Sequence, residues 1–245
     1  MPDSMQHTVV SHEEWLAART QLLAEEKEFT RLRDRLSQRR RDLPWEAVDK
    51  EYAFEGPHGR RTLAALFDGR GQLVVYHAMF DPATASPSTT WTVDAACHSC
   101  SFWADNFNGI IVHLNHRDVT LVAVSRAPYA AIAAYRQRMG WTFPWFSSGQ
   151  SDFNVDYGVS FTAQEVAEKK AEYNYTIQDP HLTELPGLSV FFTDDVGRIF
   201  HTYSTYGRGL DMVNVAYHYL DLVPKGRDEG GSGQYWVRRH DEYDD

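Results

Sequence analysis

Two cysteines are all that 245 residues contain. A secreted domain held by a disulfide framework uses more of them, and a zinc site built from two CxxC pairs lacks its second pair. No apolar run approaches the ~20 residues that cross a bilayer. Basic residues are scarce beside acids, 24 against 34, for a net charge of −10. That excludes general nucleic-acid binding, which needs surplus Lys and Arg to displace counterions, and it disfavours docking on an anionic membrane. The stretch Met1-Pro2-Asp3-Ser4 shows no basic segment followed by an apolar one, so no secretory signal is expected and the cytoplasm is the expected compartment.

What is present reads as ordinary globular composition, 42% apolar and 24% charged. Residues 11–41 predict one long helix. Ser11 and Glu14 have capping-box spacing, and Trp15, Leu16, Leu22, Leu23, Phe29, Leu32 and Leu36 recur mostly along one face. Such a stripe is expected to pack on the core or on a second copy of the chain, the latter as a homodimer through this helix. From residue 51 short strands and helices alternate: a strand at 51–55, a turn at 56–59, a short helix at 62–67 and a strong buried strand at 72–80. A Pro/Ser/Thr-rich loop then leads to Cys97. A helix follows, then an apolar strand at 119–125, a helix at 129–139 capped by Gly140, and a strand at 143–146. A hairpin at 188–192 and 198–203 precedes a helix at 211–220, a flexible stretch at 226–233 and a polar tail at 234–245. This order predicts an α/β fold with a mixed central sheet.

The chemistry concentrates at Cys97-His98-Ser99-Cys100, placed after a buried strand and opening a helix. There the first sulfur meets free backbone N–H groups that favour a thiolate, and His98 would add to that effect. The second sulfur, nearly one turn on, can resolve a mixed disulfide. Thus Cys97 is expected as nucleophile and Cys100 as resolving thiol. His77, near the carboxyl end of the preceding strand, and His201, in the late hairpin, are candidates to face the pair. If both do, a thiol base or a copper or zinc site of Cys97, Cys100, His77 and His201 becomes the alternative. Arg126, at the end of the next strand, is a candidate to meet an anionic substrate.

These residues carry a resemblance. The blocks LPWEAVDKEYAFEGPHG (43–59), VVYHAMF (74–80), CHSCSFWADNFNG (97–109), VTLVAVSRAP (119–128), SDFNVDYGVSF (151–161), FHTYSTYGRGLD (200–211) and WVRRHDEY (236–243) resemble a bacterial family of thioredoxin-like proteins of unknown function, labelled dithiol–disulfide oxidoreductases. The resemblance runs over roughly residues 8–243. It implies a thioredoxin-like three-layer fold with an N-terminal helical extension, and it places Cys97 and Cys100 in the redox position. Members commonly carry proline after the first cysteine, where this chain has His98. A thioredoxin fold also implies a cis-proline facing the cysteines, for which Pro186 is the candidate. The organisation expected is a helical extension (1–43), a thioredoxin-like domain (44–225) and a flexible tail (226–245). The function expected is thiol–disulfide exchange or peroxide reduction at Cys97 and Cys100, without a cofactor. The partner expected is a disulfide-containing protein or a small thiol or peroxide; a copper or zinc protein and a non-catalytic interaction module are the rivals.

Overall fold

Ser11 and Glu14 close the expected capping box: the Ser11 hydroxyl accepts the Glu14 N–H at 3.2 Å, and the Glu14 carboxylate accepts the Ser11 N–H at 2.9 Å. The helix they start, α1 (His12–Arg41), carries Glu13 and Glu14 in its first turn and Arg39, Arg40 and Arg41 in its last, each sign opposing the helix dipole. No residue of α1 is buried, and Trp15, Leu22 and Phe29 are exposed along its length. The computed structural model describes residues 7–231 and 233–244 and forms two compact units, Met1–Pro44 and Trp45–Asp245.

The second unit holds, in chain order, β1 (Glu46–Ala47), β2 (Ala53–Gly56), β3 (Gly59–Thr62), α2 (Leu63–Leu66), β4 (Gln72–His77), α3 (His98–Ala104), α4 (Phe107–Asn115), β5 (Val119–Ser125), α5 (Tyr129–Arg138) and β6 (Trp145–Ser147). It continues with α6 (Phe153–Asp156), α7 (Ala163–Glu168), β7 (Ala171–Tyr173), β8 (Thr176–Gln178), β9 (Gly187–Thr193), β10 (Ile199–Tyr206) and α8 (Val215–Leu220). Eight strands form one sheet in the order β1-β10-β9-β4-β5-β6-β2-β3, and β7 and β8 pair separately. β4 and β5 are parallel, joined through the helices that follow the cysteines, while β9 runs antiparallel to β4 and turns back as β10. A parallel crossover followed by an antiparallel hairpin and a helix is the thioredoxin-like arrangement.

Alternation along the strands sorts the core into two layers. Tyr76, Leu121 and Ala123 face one layer with both cysteines, Trp103, Phe107, Tyr135 and Trp145. Leu73, Val75, Val122, Val124 and Phe191 face the other with Phe54, Leu66 and Phe153. The sheet lies between them.

Several expected boundaries move. The strand expected to reach residue 80 leaves the sheet after His77, because Met79 turns to hold the cysteine loop. The single helix expected after Cys97 is two, broken where the Asn106 side-chain amide donates to the Phe102 and Trp103 carbonyls at 3.3 and 3.1 Å. The expected helix at 62–67 is present as Leu63–Leu66, capped by Thr62 and Phe67, but the turn before it is extended by β3, which pairs with β2 as a hairpin. The tail expected to be flexible is folded onto the domain. Val237 is fully buried, and Arg239, also buried, donates to the Ala96 carbonyl at 3.0 and 2.7 Å. Arg138 pairs with Asp241 and Glu242, and His240 with Asp105. A polar composition does not keep this segment loose, because its charges find fixed partners in the domain.

Phe191 is fully buried between β4 and β10. Phe191→Ala is expected to cost about 3–5 kcal/mol in urea unfolding; a loss below about 1 kcal/mol would contradict its place in the core.

Candidate functional site at Cys97 and Cys100

The residues that leave β4 are the ones that hold the cysteine motif in place. The Ala78 N–H donates to the Val124 carbonyl at 2.9 Å, so the exit still follows β5. Met79 then binds the motif on both sides: its carbonyl accepts the Cys97 N–H at 2.9 Å, and its own N–H donates to the Cys100 sulfur at 3.3 Å. Cys97 caps α3, and its carbonyl accepts the Ser101 hydroxyl at 2.9 Å, which also bonds the Tyr135 hydroxyl at 2.7 Å. Arg239 fixes the carbonyl of Ala96, immediately before the motif. The thiols are free, and both are buried.

The two sulfurs differ in charge preference. Burial is the largest single influence on the Cys97 thiol and pushes it up, but the Cys100 thiol, the Thr90 hydroxyl, the Cys100 N–H and the imidazole of His98 together outweigh it, and the net effect holds Cys97 below its ordinary value. The Thr90 hydroxyl has no other hydrogen-bond partner. Burial and the neighbouring Cys97 push the Cys100 thiol well up, against hydrogen bonds from the Met79 N–H and the Tyr76 hydroxyl. The two thiols are thus pushed in opposite directions, Cys97 towards the thiolate and Cys100 towards the protonated form.

They differ in access too. A cavity of about 200 Å³ is lined by Tyr76, Ser99, Cys100, Trp103, Pro186 and Leu210, with Arg208, Asp211 and Gln234 completing it. Cys97 is not among its lining residues and is fully buried, whereas Cys100 forms part of the wall.

Residues 4–243 match the family described as "Bacterial protein of unknown function (DUF899)". The chain belongs to that family. No curated protein matches this DUF899 chain. Among solved structures it is similar to peroxidoxin BcpB from Mycobacterium tuberculosis, at 14% identity over 69% of this chain and 92% of that one, with a TM-score of 0.43. It is also similar to peroxiredoxin Q of Xanthomonas campestris, at 15% identity over 69% and 95% with a TM-score of 0.42. PrxQ of Xylella fastidiosa is a third, at 13% over 72% and 96% with a TM-score of 0.40. At these scores the likeness bears on neither activity nor substrate.

Of the residues expected around the motif in this DUF899 chain, Ser99 and Pro186 line the Cys100 cavity and His98 lies half-buried within the motif. Pro186 is not cis: no cis peptide bond occurs among the described residues. The two histidines are corrected outright. His77 shares its face of β4 with Leu73 and Val75, so it points away from the sulfurs that Tyr76 meets. It stacks on Phe153 at 5.4 Å and contacts Ser189 at 3.0 Å and Asn154 at 3.3 Å, and burial pushes its imidazole down to about 4. His201 lies on that same face against Phe191 and Tyr157, bonded to Ser204 at 2.7 Å and Glu46 at 3.2 Å. The sheet thus separates both histidines from both cysteines, and the four-ligand copper or zinc site is not assembled. No group of three or more His, Cys, Asp or Glu side chains able to hold a metal occurs among the described residues.

Arg126 stands not at an open anion site but between two acids, its Nε 3.9 Å from Asp81 and 3.9 Å from Glu184. Glu184 is buried and accepts the Ser160 hydroxyl at 3.0 Å, while its second oxygen has no partner. Burial pushes its carboxyl up to about 8, against the pull of Arg126, with Asp81 pushing further. Sequence reasoning missed Tyr76, Thr90, Glu184 and Arg239. Only Tyr76 had a readable signal, its alternation with His77.

Two predictions follow from these charges. Thiolate absorbance titrated against pH should show one inflection below the ~8.5 of a free thiol, and Cys97→Ser should abolish it. An inflection that survives this substitution would assign the thiolate wrongly. Glu184 keeps its proton in the folded chain and loses it earlier when unfolded, so stability should fall as pH rises from about 4.5 to about 8. Glu184→Gln should flatten that fall in denaturant midpoints; an unchanged slope would count against a protonated Glu184.

Proposed function

We propose that this protein is a thiol-dependent redox enzyme that reduces a small hydroperoxide, cycling Cys97 and Cys100 between dithiol and disulfide. The observation that supports it is the pairing of a thiolate with a thiol at the wall of a cavity of only about 200 Å³. That volume corresponds to roughly six or seven waters at ~30 Å³ each, well below the cavities that take drug-sized ligands.

Size also discriminates among oxidants. Attack on a disulfide leaves the whole thiol substituent bonded to the protein sulfur. Attack on a hydroperoxide leaves a single oxygen there. With both sulfurs at 2% exposure or less, the one-atom product is the one the site accommodates without opening. A protein disulfide, which would have to bring its own backbone to a buried sulfur, is the poorest fit. The dithiol consumes one hydroperoxide and releases an alcohol and a water. An external thiol reductant then restores the pair.

Reduced protein treated with tert-butyl hydroperoxide should consume one equivalent and lose both free thiols of the chain, Cys97 and Cys100. Insulin disulfides offered under thiol recycling should be reduced at least ~10-fold more slowly, because attack on them must open the site. Rapid insulin reduction with thiols inert to the peroxide would overturn this function in favour of general disulfide exchange.

A further inference from the structure

We propose that Cys100, the second cysteine of the motif, is the sulfur that attacks the substrate, with Cys97 as its proton acceptor and then the resolving thiol, and that the substrate is an alkyl hydroperoxide whose apolar body lies against Tyr76, Trp103, Pro186 and Leu210. This rests on the peroxide-reducing reading above and assigns its order of events. It reverses the roles expected from position in the motif, where the first sulfur at the helix start takes the substrate.

The geometry that carries it is access. Cys100 forms part of the cavity wall and Cys97 does not, being fully buried. A thiolate that no oxidant reaches cannot be the attacking group, however readily it ionises. A transient charge on Cys100, which burial disfavours, has a donor in place: the Met79 N–H donates to its sulfur at 3.3 Å, and Tyr76 stands beside it in the cavity wall. Cys97, at the N-cap of the same helix and in the same buried cluster, is the neighbouring thiol to which the proton would pass. Around the sulfur the wall is aromatic and aliphatic, with Trp103 fixed by its indole N–H on the Leu210 carbonyl at 2.9 Å. Hydrogen peroxide gains nothing from such a surface, whereas an alkyl group does. Arg208 and Asp211 pair with each other at 3.2 Å, so neither is committed to a charged substrate.

The steps balance as follows. The Cys97 thiolate takes the Cys100 proton, and the Cys100 sulfur attacks the terminal oxygen of the hydroperoxide. The S–O bond forms, the O–O bond breaks, and the departing alkoxide takes the proton now on Cys97 to become the alcohol, with the Tyr76 hydroxyl donating a hydrogen bond to it. The Cys97 thiolate then attacks the Cys100 sulfenic sulfur. The S–S bond forms, the S–O bond breaks, and hydroxide leaves as water with a proton from solvent. Sulfur gives up two electrons, and the peroxide bond receives them.

Single-turnover oxidation with tert-butyl hydroperoxide, trapped by dimedone and followed by intact mass, separates the alternatives. At a pH high enough to ionise Cys100 without its proton acceptor, Cys97→Ser should form one sulfenic acid, at Cys100, whereas Cys100→Ser should form its own at least ~100-fold more slowly at that pH. Because either substitution in so buried a pair can disturb folding, wild-type protein given substoichiometric peroxide in excess dimedone is mapped in parallel, and its adduct should lie on Cys100. An adduct on Cys97, or rapid oxidation of Cys100→Ser with inert Cys97→Ser, overturns the assignment and leaves the peroxide-reducing function standing. A wild-type protein inert to the peroxide overturns both.

Discussion

Met79 binds the cysteine motif with both of its backbone groups, and the arrangement of the two thiols depends on that clamp. Its carbonyl holds the Cys97 N–H and its N–H holds the Cys100 sulfur, so one residue just beyond the end of β4 fixes where both thiols lie. The cost is visible in the sheet, which loses Ala78–Phe80 from the strand that their sequence favours. The gain is that the sulfurs are positioned by backbone inside a buried, largely apolar layer, where hydrogen bonds are strong and unpaired charge is expensive. Cys100, Thr90 and the Cys100 N–H push Cys97 towards the thiolate against that burial.

The same burial that shapes the electrostatics restricts the chemistry. Both sulfurs have nearly no exposed surface and only Cys100 lines a small cavity, so in the proposed reaction an oxidant that transfers one atom fits better than one that leaves a large group behind. The C-terminal segment contributes to this enclosure. Arg239 reaches from residue 239 to the carbonyl of Ala96, and Glu242 holds the guanidinium in turn at 3.0 Å. A charged hydrogen bond to a buried carbonyl costs about 1.5–3 kcal/mol to lose, so the last residues of the domain are part of the frame of its first functional loop. Away from that frame, the sheet's other face carries a polar chain from Glu46 through His201, Ser204 and Ser189 to His77 and Asn154, which satisfies two histidines that have no part in the thiol chemistry.

Local rules were enough for some of this. Capping-box spacing marked the start of α1, the apolar runs marked β4 and β5, and the three-residue separation of Cys97 and Cys100 marked the motif. Each is a relation between residues within one or two turns, or within one strand, and such relations are written in sequence order. Alternation on β4 was equally readable and would have assigned Tyr76, not His77, to the cysteine face once one of the two faces was known.

Which face that was could be decided only by the tertiary structure, since it depends on the side of the sheet to which the crossover from β4 to β5 carries the motif. The same holds for Arg239 on Ala96, 143 residues apart, and for Glu184 beside Arg126. It holds as well for the cavity that opens on Cys100 and not on Cys97, whose walls come from β4, α3 and the segments around Pro186 and Leu210. Spacing along the chain fixed that there were two sulfurs able to meet. Packing of distant segments around them fixed which one faces outward, because access to a buried atom is a property of everything that covers it.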